Sequence, residues 1–171
     1  MMKLSLALMG ATLLAGAMPG VAAAQAKSPH ETVSATIGGG KVTISYGRPS
    51  IRGREIMGGL VPYGQVWRTG ADEATKLTTE VDLNIGGLRV PKGSYGVFTL
   101  PTKEGWQLII NKTADQWGAF KYDAAKDLGR VPMKVGKPAQ PVEQFTIALT
   151  ADTLKMSWEN TVAQVEIGPA K

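Results

Sequence analysis

Cysteine is absent from the 171-residue chain, which excludes disulfides, thiolate metal ligands, cysteine nucleophiles and a lipid-bearing N-terminal cysteine. Histidine is nearly absent too, with His30 alone. That leaves a zinc-type centre without ligands. A Ser-His-Asp triad has only His30 for its base, and the G-x-S-x-G elbow that presents a nucleophilic serine is missing. His30 follows Ser28-Pro29 and reads as an incidental surface residue. Glycine clusters such as Gly38-Gly39-Gly40 neither open a helix nor end in G-K-[ST], so no phosphate loop is present. No cofactor motif remains. The net charge of +5 is spread over scattered lysines, without the basic, aromatic-studded stripe that nucleic acid requires. The surplus serves solubility and weak attraction to anionic surfaces.

What is present begins with Lys3 and the apolar run LSLALMGATLLAGAM, followed by small residues from Val21 to Ala26. A positive start, a short apolar centre and an A-x-A-like exit describe a secretory signal peptide, cleaved after Ala24 or Ala26. Pro19 and Gly20 interrupt the run before the roughly 18–20 apolar residues of a membrane span. Residues 1–26 are therefore read as the signal, and 27–171 as one periplasmic or secreted domain with no transmembrane segment. About 145 residues suffice for a real core without disulfides.

Short alternating runs dominate the mature chain. Thr32–Ile37 and Lys41–Tyr46 flank three glycines and read as a hairpin. Lys76–Ile85 places Leu77, Thr79, Val81, Leu83 and Ile85 on one face, and Gly86-Gly87 turns into Leu88–Val90. Ser94–Leu100, Trp106–Asn111, Glu143–Thr150 and two C-terminal runs carrying Leu154, Met156, Trp158 and Ala163, Val165, Ile167 continue the pattern. Val131–Val135 is a further strand, confined by Pro132 to an edge. Between Lys112 and Arg130 the rhythm breaks, and Tyr122–Asp127 reads as a helical turn capped by Asp123 and stopped by Gly129. The fold class is all-β: a single antiparallel β-sandwich with Greek-key-like connections, one long ordered loop and little helix.

The long loop is Gly47–Thr75. It has no apolar period, yet holds four of the chain's six arginines (Arg48, Arg52, Arg54, Arg68). Its aromatic and aliphatic residues, among them Trp67 and Ile56, argue for order, and a long ordered loop in a strand-rich domain is commonly functional. Guanidinium groups grip carboxylates and phosphates with two parallel hydrogen bonds, so arginines converging on one loop form an anion site. The competing reading pairs them with Glu55, Asp72, Glu73 or carbonyls and makes them pins of the loop. Trp67 and Asp72 add an aromatic plate and an acid. Trp106 and Trp158 fall at inward strand positions and read as core, whereas Trp117, in a loop, is the better ligand contact. The candidate ligand-binding set is Arg48, Arg54, Trp67, Arg68, Asp72, Trp117, Asp123 and Asp127. The ligand expected is a small molecule or glycan, anionic or polyhydroxylated. Two other classes stay open: a hydrolase using two of the acids Asp72, Glu73, Asp123, Asp127, Glu143 and Glu159, and a structural or partner-binding envelope protein.

Tyr46-Gly47-Arg48-Pro49, Leu60-Val61-Pro62-Tyr63-Gly64 and above all Val66-Trp67-Arg68-Thr69-Gly70-Ala71 resemble a family of exported bacterial proteins. So do Ile110-Asn111-Lys112, Gln116-Trp117-Gly118, Tyr122-Asp123, Asp127 with Arg130, and Trp158-Glu159-Asn160-Thr161. That family is catalogued as domain of unknown function twenty-nine eleven. The resemblance runs from Ser28 to Ile167 and implies one exported domain. It brings no activity, cofactor or catalytic residue. Asp72 stands where asparagine is common in the family, which adds a charge beside Arg68.

Overall fold

The computed structural model describes residues 27–171, so the signal peptide read in residues 1–26 lies outside the described residues. Eleven strands follow in chain order: β1 His30–Ile37, β2 Gly40–Gly47, β3 Thr75–Thr79, β4 Leu83–Ile85, β5 Leu88–Val90, β6 Gly93–Pro101, β7 Trp106–Asn111, β8 Asp127–Gly136, β9 Val142–Leu149, β10 Thr153–Glu159 and β11 Thr161–Pro169. Every strand pairing is antiparallel. Hydrogen bonding runs along one path, β1-β2-β3-β6-β7-β8-β11-β10-β9, with the β4–β5 hairpin attached to the end of β11. The all-β, antiparallel expectation stands. The path itself is that of one sheet nearly closed into a barrel rather than of two separately bonded sheets.

Alternation along the strands drives this closure, because one face of each strand must leave water. Val42, Ile44 and Tyr46 of β2, Leu108 and Ile110 of β7, Leu154, Met156 and Trp158 of β10, and Ala163, Val165 and Ile167 of β11 are buried together. At β6 and β7 both faces are covered. Phe98 and Ile109 point away from the main core and are sealed by Ala74, Val66, Ala119 and Tyr122. The long loop and the segment after β7 thus lie against the outside of the sheet.

Three local expectations change. Lys76–Ile85 is two strands, not one: the Thr79 hydroxyl donates to the Val81 carbonyl at 2.6 Å and accepts from its N–H at 3.2 Å, a side-chain turn that competes with the ladder. The helical turn is a single 3₁₀ turn, Ala124–Lys126, capped by Asp123 as expected but ended by Asp127. Gly129 lies within β8, opposite Ile110. β8 is longer than Val131–Val135, yet Pro132 is tolerated because β11 joins only from Lys134 onward.

The barrel closes where β9 meets the chain leaving β2. Phe145 N donates to the Pro49 carbonyl at 2.8 Å, and Ile51 N to the Glu143 carbonyl at 2.9 Å. Beyond this short ladder, side chains continue the seam. The Tyr46 hydroxyl accepts the Ile147 N–H at 2.9 Å. Arg48 donates from Nε to the Phe145 carbonyl at 3.1 Å and from Nη2 to Thr146 Oγ1 at 2.8 Å, while Nη1 meets Glu31 at 2.6 Å. Tyr46→Phe is expected to leave the buried Ile147 N–H unmatched and to cost about 1–3 kcal/mol. Urea unfolding at neutral pH measures it; an unchanged midpoint would show that the hydroxyl contributes nothing to the closure.

Candidate functional site

The long loop is held to the barrel by backbone pairing at several points. Trp67 exchanges both hydrogen bonds with Thr99 (2.8 and 3.0 Å), Thr75 N donates to the Arg68 carbonyl at 3.1 Å, and Ala71 N donates to the Gly47 carbonyl at 3.3 Å. The loop comes so close that a methyl group on Gly47 would collide with the Ala71 carbonyl. Non-glycine residues Arg52, Thr69 and Asp72 take φ of +48°, +58° and +63°, a sparsely populated region for them. A tightly fixed, locally strained excursion of this kind is a candidate site.

One cleft of about 410 Å³ opens along it, with Lys27, Arg52, Arg54, Arg68, Asp72 and Trp67 among its lining. Four cations face one carboxylate there. That carboxylate is engaged outward, with Asp72 Oδ2 3.1 Å from His30 Nε2. Arg54 is partly spent on its own loop, donating to the Ile51 carbonyl at 3.0 Å and the Ser50 carbonyl at 2.6 Å. The Arg52 side chain is exposed, and its backbone N–H is fixed by Glu143 Oε1 at 3.0 Å. Arg68 differs from all of these. Its Nε is shut off from water and, among the described residues, has no hydrogen-bond partner. The arginine ion pairs among those residues involve Arg48, Arg89 and Arg130. The unmatched Nε is costly in the protein, and the part of the guanidinium suited to receive an oxyanion is its terminal Nη groups, which are in no ion pair among the described residues.

Trp67 is half-buried and contributes both to core and to cleft. It stacks on Trp158 at 5.8 Å and 17°, and meets Phe145 at 5.0 Å edge-on. Trp158 itself, read from the sequence as core, is 2% exposed yet borders the same cleft. Trp117 stands just outside, 59% exposed. Its neighbour Gly118 donates to the Asp72 carbonyl at 3.1 Å.

The other sequence candidates lie elsewhere. Arg48 belongs to the barrel seam, with all three nitrogens matched. Asp123 caps the 3₁₀ turn, accepting from Ala125 N at 3.0 Å. Asp127 anchors a network beneath that turn, where the buried Asn111 donates from Nδ2 to Asp127 Oδ1 at 2.9 Å and to the Asp123 carbonyl at 3.0 Å. Tyr122 donates its hydroxyl to Asp127 Oδ2 at 2.6 Å, and Arg130 donates to both, at 3.0 Å from Nε and 2.8 Å from Nη2. These three residues position the loops and do not line the arginine cleft. The grouping of Arg54, Trp67, Arg68 and Asp72 was legible in the loop. Lys27 and Trp158 were not, since only folding brings them to it.

Among the acids, Asp72 and Glu73 approach one another through His30, whose Nε2 lies 3.1 and 3.6 Å from them. His30 and Glu73 border a second cleft of about 380 Å³, whereas Asp72 lines the first. The imidazole occupies the space between the two carboxylates, where a hydrolase of the carboxylate-pair type holds its substrate. Among the described residues no cluster of His, Cys, Asp and Glu suits a metal ion, and no helix is long and apolar enough to cross a membrane.

Burial, and then the Asp127 carboxylate, push the Tyr122 phenol up to about 12 from its ordinary 10.0. The folded state therefore favours the neutral hydroxyl. The stability this contributes is complete below pH 10 and is lost as pH rises from about 10 to 12. In an ultraviolet difference titration, wild type minus Tyr122→Phe is expected to show one phenolate forming with a midpoint near 12. A midpoint at 10.0, the unperturbed value, would show that Asp127 and burial do not hold that hydroxyl.

No curated protein and no solved structure matches the chain. A family model does match, over residues 28–167, and so covers nearly all of the described barrel together with the loop and its cleft. The chain belongs to the family described as "Protein of unknown function (DUF2911)".

Proposed function

We propose that this is an exported binding protein whose Arg68 cleft takes up an anionic ligand, small or polymeric, through a carboxylate or phosphate group. Export rests on the N-terminal charge, apolar run and small-residue exit. The single observation that carries the binding role is Arg68: a cation that lines a solvent-open cleft and is in no ion pair among the described residues. Proteins match most buried polar groups, and among the described residues Arg68 Nε and Gln116 Oε1 are the buried side-chain atoms left over. Around it Lys27, Arg52 and Arg54 raise the local positive potential, which attracts anions and speeds their arrival. Asp72 limits that potential, and its engagement with His30 keeps the carboxylate from claiming Arg68. Trp67 supplies an apolar floor on which the uncharged part of a ligand can rest, as mixed clefts of a few hundred Å³ do.

Inorganic phosphate and galacturonate, titrated while the melting temperature is followed, test this reading. A ligand that binds only the folded state raises that temperature by mass action. Wild type should respond to both probes. Arg68→Ala should lose about 1.5–3 kcal/mol of binding, roughly ten- to more than a hundredfold in Kd, without losing stability in buffer alone. Arg68→Lys, which keeps the charge but not the fork, should fall between. If wild type is indifferent to both anions and Arg68→Ala is destabilised in buffer, Arg68 is a structural residue and the proposal fails.

A further inference from the structure

Beside Arg68 stands a turn whose exposure the binding cleft alone does not explain. Phe120 is 86% exposed and Trp117 59%, a large apolar surface to leave in water at one turn. The turn is not a loose end. Gly118 N bonds to the Asp72 carbonyl at 3.1 Å, Ala74 N to the Gln116 carbonyl at 2.9 Å, and Tyr122 N to the Ala119 carbonyl at 3.2 Å. Beneath it the Tyr122 ring packs on buried Phe98 at 5.0 Å. The two aromatics are held out by a braced support.

Gly118 ties this turn to the cleft. Its φ of +62° favours glycine. A methyl group placed there would touch the Phe120 ring at 3.1 Å and find Arg68 Nη1 at 3.9 Å. The exposed ring and the guanidinium therefore both approach the Cβ side of Gly118.

We infer that the ligand of the Arg68 cleft is an acidic polysaccharide, one of whose sugar rings lies against Phe120 and Trp117 while its carboxylate reaches Arg68. This inference rests on the anion-binding reading of the same cleft. A uronic acid carries an apolar C–H face and a carboxylate on one rigid ring, which matches an aromatic and a guanidinium brought together beside one glycine. A polymer fits better than a monomer because ring contact on an exposed aromatic is weak, worth up to about tenfold in affinity. Repeated units rebind and multiply such gains. A bilayer surface fits less well. Its headgroup phosphates lie in a plane, whereas Arg68 lines the wall of a cleft.

The experiment uses the mature chain, with Phe120→Ser, Trp117→Ser and the double variant, all altered at exposed positions. Calorimetry measures polygalacturonate, alginate and hyaluronate against neutral dextran, and sedimentation measures phosphatidylglycerol vesicles. Inorganic phosphate serves as the control for Arg68. Wild type should bind at least one acidic polymer and not dextran. The double variant should lose about tenfold or more of that affinity while its response to phosphate stays unchanged, and the change in tryptophan fluorescence on polymer binding should be smaller in Trp117→Ser than in wild type. If phosphate binds but none of the three polymers does, the polysaccharide inference is overturned and the anion site survives. If neither binds, both fall. Polymer binding that the double variant retains in full, or vesicle binding that needs Phe120 in place of polymer binding, also overturns it.

Discussion

The closure of the barrel between β9 and the chain leaving β2 is the constraint on which the rest depends. A curved sheet with two free ends exposes two rows of backbone donors and acceptors. Here β9, one end of the sheet, meets the chain leaving β2 by only a short ladder at Pro49–Ile51 and Glu143–Phe145. The Tyr46 hydroxyl and the Arg48 guanidinium then take over, matching the N–H of Ile147 and the carbonyl of Phe145. Side chains thus continue the seam beyond the short backbone ladder. In doing so they commit Arg48 to the interior architecture, and they fix where the long loop departs.

From that departure point the loop has little freedom. Gly47 admits the Ala71 carbonyl against its backbone, Trp67 pairs with Thr99, and the apolar side chains of the loop and of the segment after β7 cover Phe98 and Ile109 on the outer face of the sheet. Burial of this second, smaller core is what holds the loop down, since apolar area removed from water stabilises by about 25 cal/mol per Å². The arginines follow as a consequence. Arg48 and Arg54 find acceptors within reach, whereas Arg68 lies against the cleft with Nε unmatched among the described residues.

Asp72 links the two halves of the surface. Its backbone carbonyl holds the aromatic turn through Gly118, its carboxylate engages His30, and its left-handed backbone turns the loop between the two clefts. The single histidine of the chain is thereby a partner for a carboxylate on the rim of the basic cleft, rather than a solitary surface ring. That carboxylate stays directed away from Arg68.

Sequence alone determined the all-β class, because the period-two alternation of Val42-Ile44-Tyr46, Leu154-Met156-Trp158 and Ala163-Val165-Ile167 states which faces must be buried whatever the topology. It also marked the Gly47–Thr75 loop as ordered and rich in arginine, and the Asp123 cap, since both are local properties of composition and spacing. It did not separate Arg48 from Arg68, for their difference lies in partners nearly a hundred positions away at Phe145 and Thr146. Nor did it show that Lys76–Ile85 breaks at Thr79, or that Phe120 projects into water beside Gly118. Tertiary structure decided those points. Which guanidinium is matched and which aromatic is covered depends on what the sheet brings opposite each, and that is set by closure of the whole barrel rather than by neighbours along the chain.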